Sequence, residues 1–179
     1  MQKSSTSIIL SPTDLANHLA CRHLSWLNYH ALHGGPKPSK SDDELADILR
    51  LYGEQHEQKY LADLTAKVAE LGQEVVNLDA DRKDGDPYGV ETLRERARVT
   101  KEALAQGGNV LYQPTFFRED DNGIAWVGRA DFVVPVDSLG FEPEDTKLAR
   151  IAKVNAVLQL CSYAEHLGKI LDKDPEYIH

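Results

Sequence analysis

Apolar residues recur at helical spacing over four stretches of this chain, and runs rich in β-branched and aromatic residues fall between them. Ser11-Pro12-Thr13-Asp14 predicts a helix start, with Ser11 as N-cap, Pro12 in the first helical position and Asp14 as the reciprocal cap. That helix is expected to run to about His33, where Gly34-Gly35-Pro36 ends it. Leu15, Leu19, Trp26, Leu27 and Ala31 supply part of an apolar stripe, and 37–43 reads as a polar linker. A second helix is predicted over about Asp43 to Leu71, with Leu45, Ile48, Leu49, Tyr52, Tyr60, Leu61, Leu64 and Val68 at helical spacing and Gly72 as its stop. Gln73 to Leu78 reads as a short strand and 79–89 as a loop. Glu91 to Gln106 reads as a charged third helix that ends at Gly107-Gly108.

The next segment predicts a β-sheet. Val110 to Phe117 is a strand, Arg118 to Gly123 a hairpin turn, and Ile124 to Val136 the antiparallel return. After a turn at 137–140, Phe141 to Leu148 makes the third strand of an antiparallel meander. A last helix is expected from about Ile151 to Leu171, with Val154, Val157, Leu158, Cys161, Ala164 and Leu167 on its buried face. Asp174-Pro175 breaks that helix, and Glu176 to His179 begins something extended. The expected class is α/β in the α+β sense, with helices flanking a three-stranded meander. Residues 1–40 form a helical segment and 41–179 the core.

Composition narrows the function. The chain has 179 residues, 41% hydrophobic and 27% charged, as in a globular domain with a core. No apolar run reaches the ~20 residues of a membrane span, so no membrane partner and a cytoplasmic location are expected. A formal net charge of −9 argues against a basic module that coats DNA. It leaves room for a nuclease, whose gathered carboxylates add negative charge that bound cations reverse. Cys21 and Cys161 could close one disulfide, but two cysteines make no framework.

Candidate chemistry centres on Gly128-Arg129-Ala130-Asp131-Phe132 and Glu144-Asp145-Thr146-Lys147. In a strand, residues two apart share a face, so Asp145 and Lys147 are expected on one side and Thr146 on the other. If the two runs pair, Asp131 joins them. Two carboxylates suit Mg²⁺ or Mn²⁺, and a lysine beside them can stabilise developing negative charge. An isolated Asp-x-Lys reads first as a strand that ends in a surface salt bridge, and only company from elsewhere in the chain changes that.

Four short motifs occur in order. They are Gly53-x-x-His56 in the second helix, Gly128-x-x-Asp131 on a strand, Asp145-x-Lys147 on the next, and Gln159-x-x-x-Tyr163 in the last helix. With this order the chain resembles the RecB-like branch of the PD-(D/E)xK nuclease superfamily. Ser11-Pro12-Thr13-Asp14-Leu15, Cys21-Arg22-His23 and the Asp145 to Arg150 run resemble a bacterial RecB-like subgroup. The resemblance implies a restriction-endonuclease-like core whose fourth strand is cut off at Glu176 to His179. It implies Mg²⁺ or Mn²⁺ held by His56, Asp131, Asp145 and the Thr146 carbonyl, with Lys147, Asp131 and Asp145 as the catalytic set. Gln159, Tyr163 and Arg150 would contact DNA, expected to be single-stranded. A helicase or another domain of a longer protein would be the protein partner. Cys21 matches the lone N-terminal ligand of the [4Fe-4S] cluster some members hold. The cluster would need three further cysteines, so it belongs only to a longer chain.

The resemblance thus implies a metal-dependent deoxyribonuclease, an exonuclease of DNA repair, recombination or defence. The alternative is a nuclease-like DNA-binding or scaffolding module without turnover. Plainer readings stand beside the motifs. His56 alone would be a surface histidine, and Gln159 and Tyr163 would be packing residues. Glu142 and Glu144 are expected to be solvated. Arg150 and Lys153 would either touch phosphate or simply open a charged helix. His18, His23, His30 and His33 share no tight face and are not expected to bind metal.

Overall fold

The computed structural model describes residues 1–4, 7–37, 43–79, 89–136, 140–147 and 153–179. In chain order its elements are β1 (Gln2–Lys3), β2 (Ile8–Leu10), α1 (Pro12–Ala20), α2 (Arg22–Leu32), α3 (Glu44–Ala69), β3 (Val75–Asn77), α4 (Val90–Gln106), β4 (Val110–Tyr112), β5 (Thr115–Glu119), β6 (Ile124–Arg129), β7 (Phe132–Pro135), β8 (Phe141–Glu144) and α5 (Val154–Leu171). The described residues thus make a mixed α/β fold with two four-stranded sheets, in the orders β1-β2-β6-β5 and β3-β4-β7-β8. Both are mixed, because β2 runs parallel to β6 and β3 parallel to β4. No helix among the described residues is long and apolar enough to cross a membrane.

The expected three-stranded meander is not the observed layout. Two of its three strands change sheets midway. The first breaks at Gln113-Pro114, where Gln113 takes φ +57° and Pro114 has no N–H for a ladder. The second breaks at Ala130-Asp131. The two breaks lie opposite each other: the Gln113 N–H donates to the Asp131 carbonyl (2.8 Å) and the Ala130 N–H to that of Pro114 (3.3 Å). The distal halves, β5 and β6, form an antiparallel hairpin in one sheet. The proximal halves, β4 and β7, stay with β8 in the other.

Other expectations need similar correction. The single helix to His33 is two helices joined at Cys21, whose extended backbone (φ −156°, ψ 103°) closes one and opens the other. Its N–H donates to the Asn17 carbonyl (2.8 Å), and its own carbonyl accepts from Leu24 (3.1 Å). β1 and β2 were not expected. Ile8-Ile9-Leu10 pairs with β6, and Ile9 is buried in the core. The apolar stripe of α3 packs only in its second half, where Tyr60, Leu61, Leu64 and Val68 lie against Val110, Tyr112 and Phe132. In α5 the buried residues are Leu160, Ser162, Tyr163, His166, Leu167 and Gly168, while Cys161 is exposed, as are Val154 and Val157. α5 is apolar on more than one side, so its sequence did not settle which side faces inward.

β8 does not leave an open edge at its end. The Asp145 N–H donates to the His179 carbonyl (2.9 Å), and the His179 N–H donates to that of Pro143 (3.1 Å). These two bonds are the pattern of a parallel strand pair. Glu142, expected in solvent, is buried and accepts from the Tyr177 N–H (3.1 Å), with His179 Nε2 2.8 Å away. The 137–139 turn, residues 38–42 of the linker, residues 80–88 of the loop and residues 148–152, including Arg150, lie outside the described residues.

Candidate functional site

The register of β7 and β8 builds the site. Phe132 and Glu144 are paired across the ladder. Asp131, one residue before Phe132, and Asp145, one residue after Glu144, therefore lie side by side where the antiparallel ladder ends. The Thr146 N–H donates to Asp131 Oδ2 (3.1 Å), and its hydroxyl lies 3.4 Å from the same oxygen. Thr146 thus turns toward Asp131, against the strand-based expectation, because β8 has ended at Glu144. Lys147 Nζ is 2.8 Å from Asp145 Oδ1.

This grouping is electrostatically expensive. The Asp145 side chain is only 6% exposed, and its Oδ2 is buried with no hydrogen-bond partner. The Asp131 carboxyl is pushed up to about 7, first by burial, then by the hydrogen bond to Asp145 and its charge. The Thr146 N–H and the Lys147 charge pull in the opposite direction but do not prevail. Such an arrangement is typical of sites shaped for a cation or for proton transfer.

Tyr163 of α5 lies near enough for its hydroxyl to feel both carboxylates. A Cβ at Gly128 would lie 2.8 Å from Tyr163 Cε1 and 3.0 Å from Cδ1. Glycine at 128 therefore lets the ring lie flat against β6, where it also stacks on Phe116. Burial raises the Tyr163 hydroxyl pKa, and the charges of Asp145 and Asp131 raise it further. The Gly-x-x-Asp and Gln-x-x-x-Tyr motifs thus meet through Gly128 and Tyr163. Gly128→Ala is expected to lower stability by about 1–3 kcal/mol through overpacking. Urea unfolding checks this, and an unchanged midpoint would mean the ring does not rest on residue 128.

The remaining expected residues are placed less centrally. Gln159 Nε2 is 3.5 Å from Thr13 Oγ1, at the start of α1. His56 lies on α3, but among the described residues no three His, Cys, Asp or Glu side chains group closely enough to hold a metal. Glu57, next to His56 on α3, is tied toward the site. Glu57 accepts from the Tyr112 hydroxyl (2.8 Å) and from Gln113 Nε2 (2.6 Å), and Gln113 is bonded through its backbone to Asp131. The spacing Glu57, Leu61, Leu64, Val68 could have revealed it as part of the packed stripe. Glu144, expected in solvent, accepts from the Tyr60 hydroxyl and is half-buried, which raises its pKa. Cys21 is an exposed free thiol.

The raised Asp131 pKa gives a pH dependence. In the unfolded chain an Asp ionises near pH 4, whereas in the folded protein this one does so at about 7. Between these values the folded state holds the extra proton. The contribution of this group to stability is therefore largest near pH 4 and falls as pH rises toward 7, by up to roughly 4 kcal/mol. Urea unfolding in EDTA across that window is expected to show the fall, and Asp131→Asn is expected to flatten it. A wild-type slope that Asp131→Asn leaves unchanged would contradict the assignment.

In comparisons with known proteins, no family model, no curated protein and no solved structure gives a significant match to the chain.

Proposed function

We propose that the protein is a metal-dependent nuclease that hydrolyses DNA phosphodiesters, built on a PD-(D/E)xK-type core. The observation that carries this reading is the side-by-side placement of Asp131 and Asp145, desolvated, with one carboxylate oxygen lacking any hydrogen bond. Buried like charges destabilise a fold unless something of opposite charge is meant to join them. Mg²⁺ commonly takes only one or two carboxylates, completing its shell with water and substrate phosphate. The carboxylate pair fits that habit without His56.

In this reading Asp131 and Asp145 would hold Mg²⁺ or Mn²⁺, with the Thr146 carbonyl as a further hard ligand. The ion, when bound, supplies a polarised phosphate oxygen and a more acidic water. The chain's own groups do the positioning. The Thr146 N–H fixes the Asp131 carboxylate. Lys147 is half-exposed and anchored on Asp145, so its ammonium can turn to a substrate oxygen as negative charge develops there. Tyr163 walls the site beside the carboxylates. Single-stranded DNA as substrate, exonuclease action and a role in repair or defence rest on the motif resemblance.

Metal binding tests the reading apart from turnover. Titration calorimetry with Mn²⁺ is expected to show saturable binding by the full chain, weakened about 10-fold or more in Asp131→Asn, within the range of losing one ligating interaction. Wild-type protein that takes up no Mn²⁺ or Mg²⁺ would remove the basis for the proposal.

A further inference from the structure

A cleft of about 240 Å³ lies where β5 meets α4 and α5. Its lining includes none of Asp131, Asp145, Lys147, Gln159 or Tyr163. Three cations reach it from three elements: Lys101 on α4, Arg118 on β5 and Lys169 on α5. His166, also on α5, adds an imidazole, and Phe117 and Ile170 form an apolar part of the wall.

This grouping runs against the charge of the chain. With a formal net charge of −9, three cations around one small cleft reverse the field locally. Among the described residues a single carboxylate answers them. Glu165 pairs with Lys169 and lies 3.5 Å from Arg118 Nη1, and it is not itself in the lining. Lys101 has no ion pair among the described residues.

His166 is an independent observation. Its residue is 7% exposed, and its ring lies flat on Phe116, with centroids 5.7 Å apart and planes 9° apart. It makes no hydrogen bond to any described residue. Burial first, then the charge of Arg118, push its pKa down to about 4, with Lys169 acting in the same direction and Glu165 against it. At neutral pH the ring is therefore uncharged and has one N–H to donate. A buried donor without a partner costs stability, and the cleft is where a partner can reach this one. A tetrahedral oxyanion would meet all four groups together. It accepts from the imidazole and guanidinium N–H groups, and the two ammonium groups offset its charge. The volume falls below the ~300 Å³ at which pockets for drug-sized ligands begin, so it suits a phosphate with a short carbon portion. Phe117 and Ile170 would cover that portion.

We infer that this cleft is a binding site for a small phosphate monoester, held by Lys101, Arg118, Lys169 and the His166 imidazole. The inference stands apart from the nuclease reading, because it uses no residue of the four motifs and no metal.

Titration calorimetry of the full chain with glycerophosphate and with inorganic phosphate, in EDTA at neutral pH and fixed ionic strength, tests it. Saturable binding of both is expected. Lys101→Ala changes an exposed side chain and leaves the fold intact. His166→Phe keeps an aromatic ring on Phe116 and removes only the ring nitrogens, so in urea it is expected to be at least as stable as the wild type. Each variant is expected to bind about 10-fold more weakly or worse, the range for losing a hydrogen bond to a charged group. Asp145→Asn is expected to bind as the wild type does. No saturable heat from either ligand, or wild-type affinity in both Lys101→Ala and His166→Phe, would overturn the assignment and leave the nuclease reading standing. An equal loss in Asp145→Asn would place the phosphate at the carboxylate pair and overturn it as well. An oligodeoxythymidylate that binds in EDTA and is weakened by Lys101→Ala, while the two small ligands give no heat, would assign the cleft to a nucleic-acid strand instead.

Discussion

Asp145→Asn is expected to abolish metal-dependent DNA cleavage, by about 10³-fold or more, while leaving the metal-free fold at least as stable as the wild type. A metal acting on a phosphate oxygen and on water contributes several kcal/mol to the transition state, and each 1.36 kcal/mol is a factor of ten. Loss of one of two carboxylate ligands puts most of that at risk. The stability half follows from the geometry. The Asp145 carboxylate is almost wholly buried, one oxygen has no partner, and its charge raises the Asp131 pKa. Asparagine keeps the shape and removes the repulsion. Single-turnover cleavage with Mg²⁺ and urea unfolding in EDTA measure the two effects. A variant that unfolds easily and loses activity in proportion would indicate a structural role for Asp145.

Lys147→Ala is expected to lower single-turnover cleavage by about 10²-fold, in the range for a group that stabilises transition-state charge. Metal binding should persist, since lysine is not a ligand in this scheme. Its side chain is half-exposed and pairs with Asp145 at 2.8 Å. Only the lysine end of this pair is exposed, so Lys147→Ala leaves the buried Asp145 carboxylate without its cation and is expected to cost stability as well. A large loss of rate in folded protein that still binds metal therefore separates a catalytic lysine from one that only neutralises Asp145. Unchanged rates would make Lys147 a surface residue.

The long helices were legible because their apolar spacing is local information. The extents of α3 and α4 match the periodic segments closely. The meeting of Asp131 and Asp145 was legible for a similar reason, since pairing of two adjacent runs with a short turn nearly fixes the register. The sheet exchange at Gln113-Pro114 and Ala130-Asp131 was not. The runs on either side of both breaks keep their strand character, and Pro114, which has no N–H for a ladder, is the sequence mark of the first switch, beside the positive φ of Gln113. β2 was missed because its three residues become a strand only through pairing with β6, more than a hundred positions away. Glu57 was missed because His56 fitted a motif, while the packed stripe of α3 contains its neighbour. Thr146 was assigned to the wrong side because the strand ends at Glu144, four residues before the Leu148 its pattern implied.

The carboxylate pair, Lys147, Tyr163 and Gly128 stand on contacts between described residues. His56 as a ligand stands on the motif alone.

The most direct measurement is cleavage of an end-labelled single-stranded oligonucleotide by the purified chain, with Mn²⁺ or Mg²⁺, with excess EDTA, and by Asp145→Asn in parallel. Cleavage that appears with metal, disappears with EDTA and is absent from the variant is the expected result. Cleavage that proceeds equally in EDTA, or equally in Asp145→Asn, would contradict the metal-nuclease account, and strand binding with metal uptake but no cleavage would identify a binding module instead.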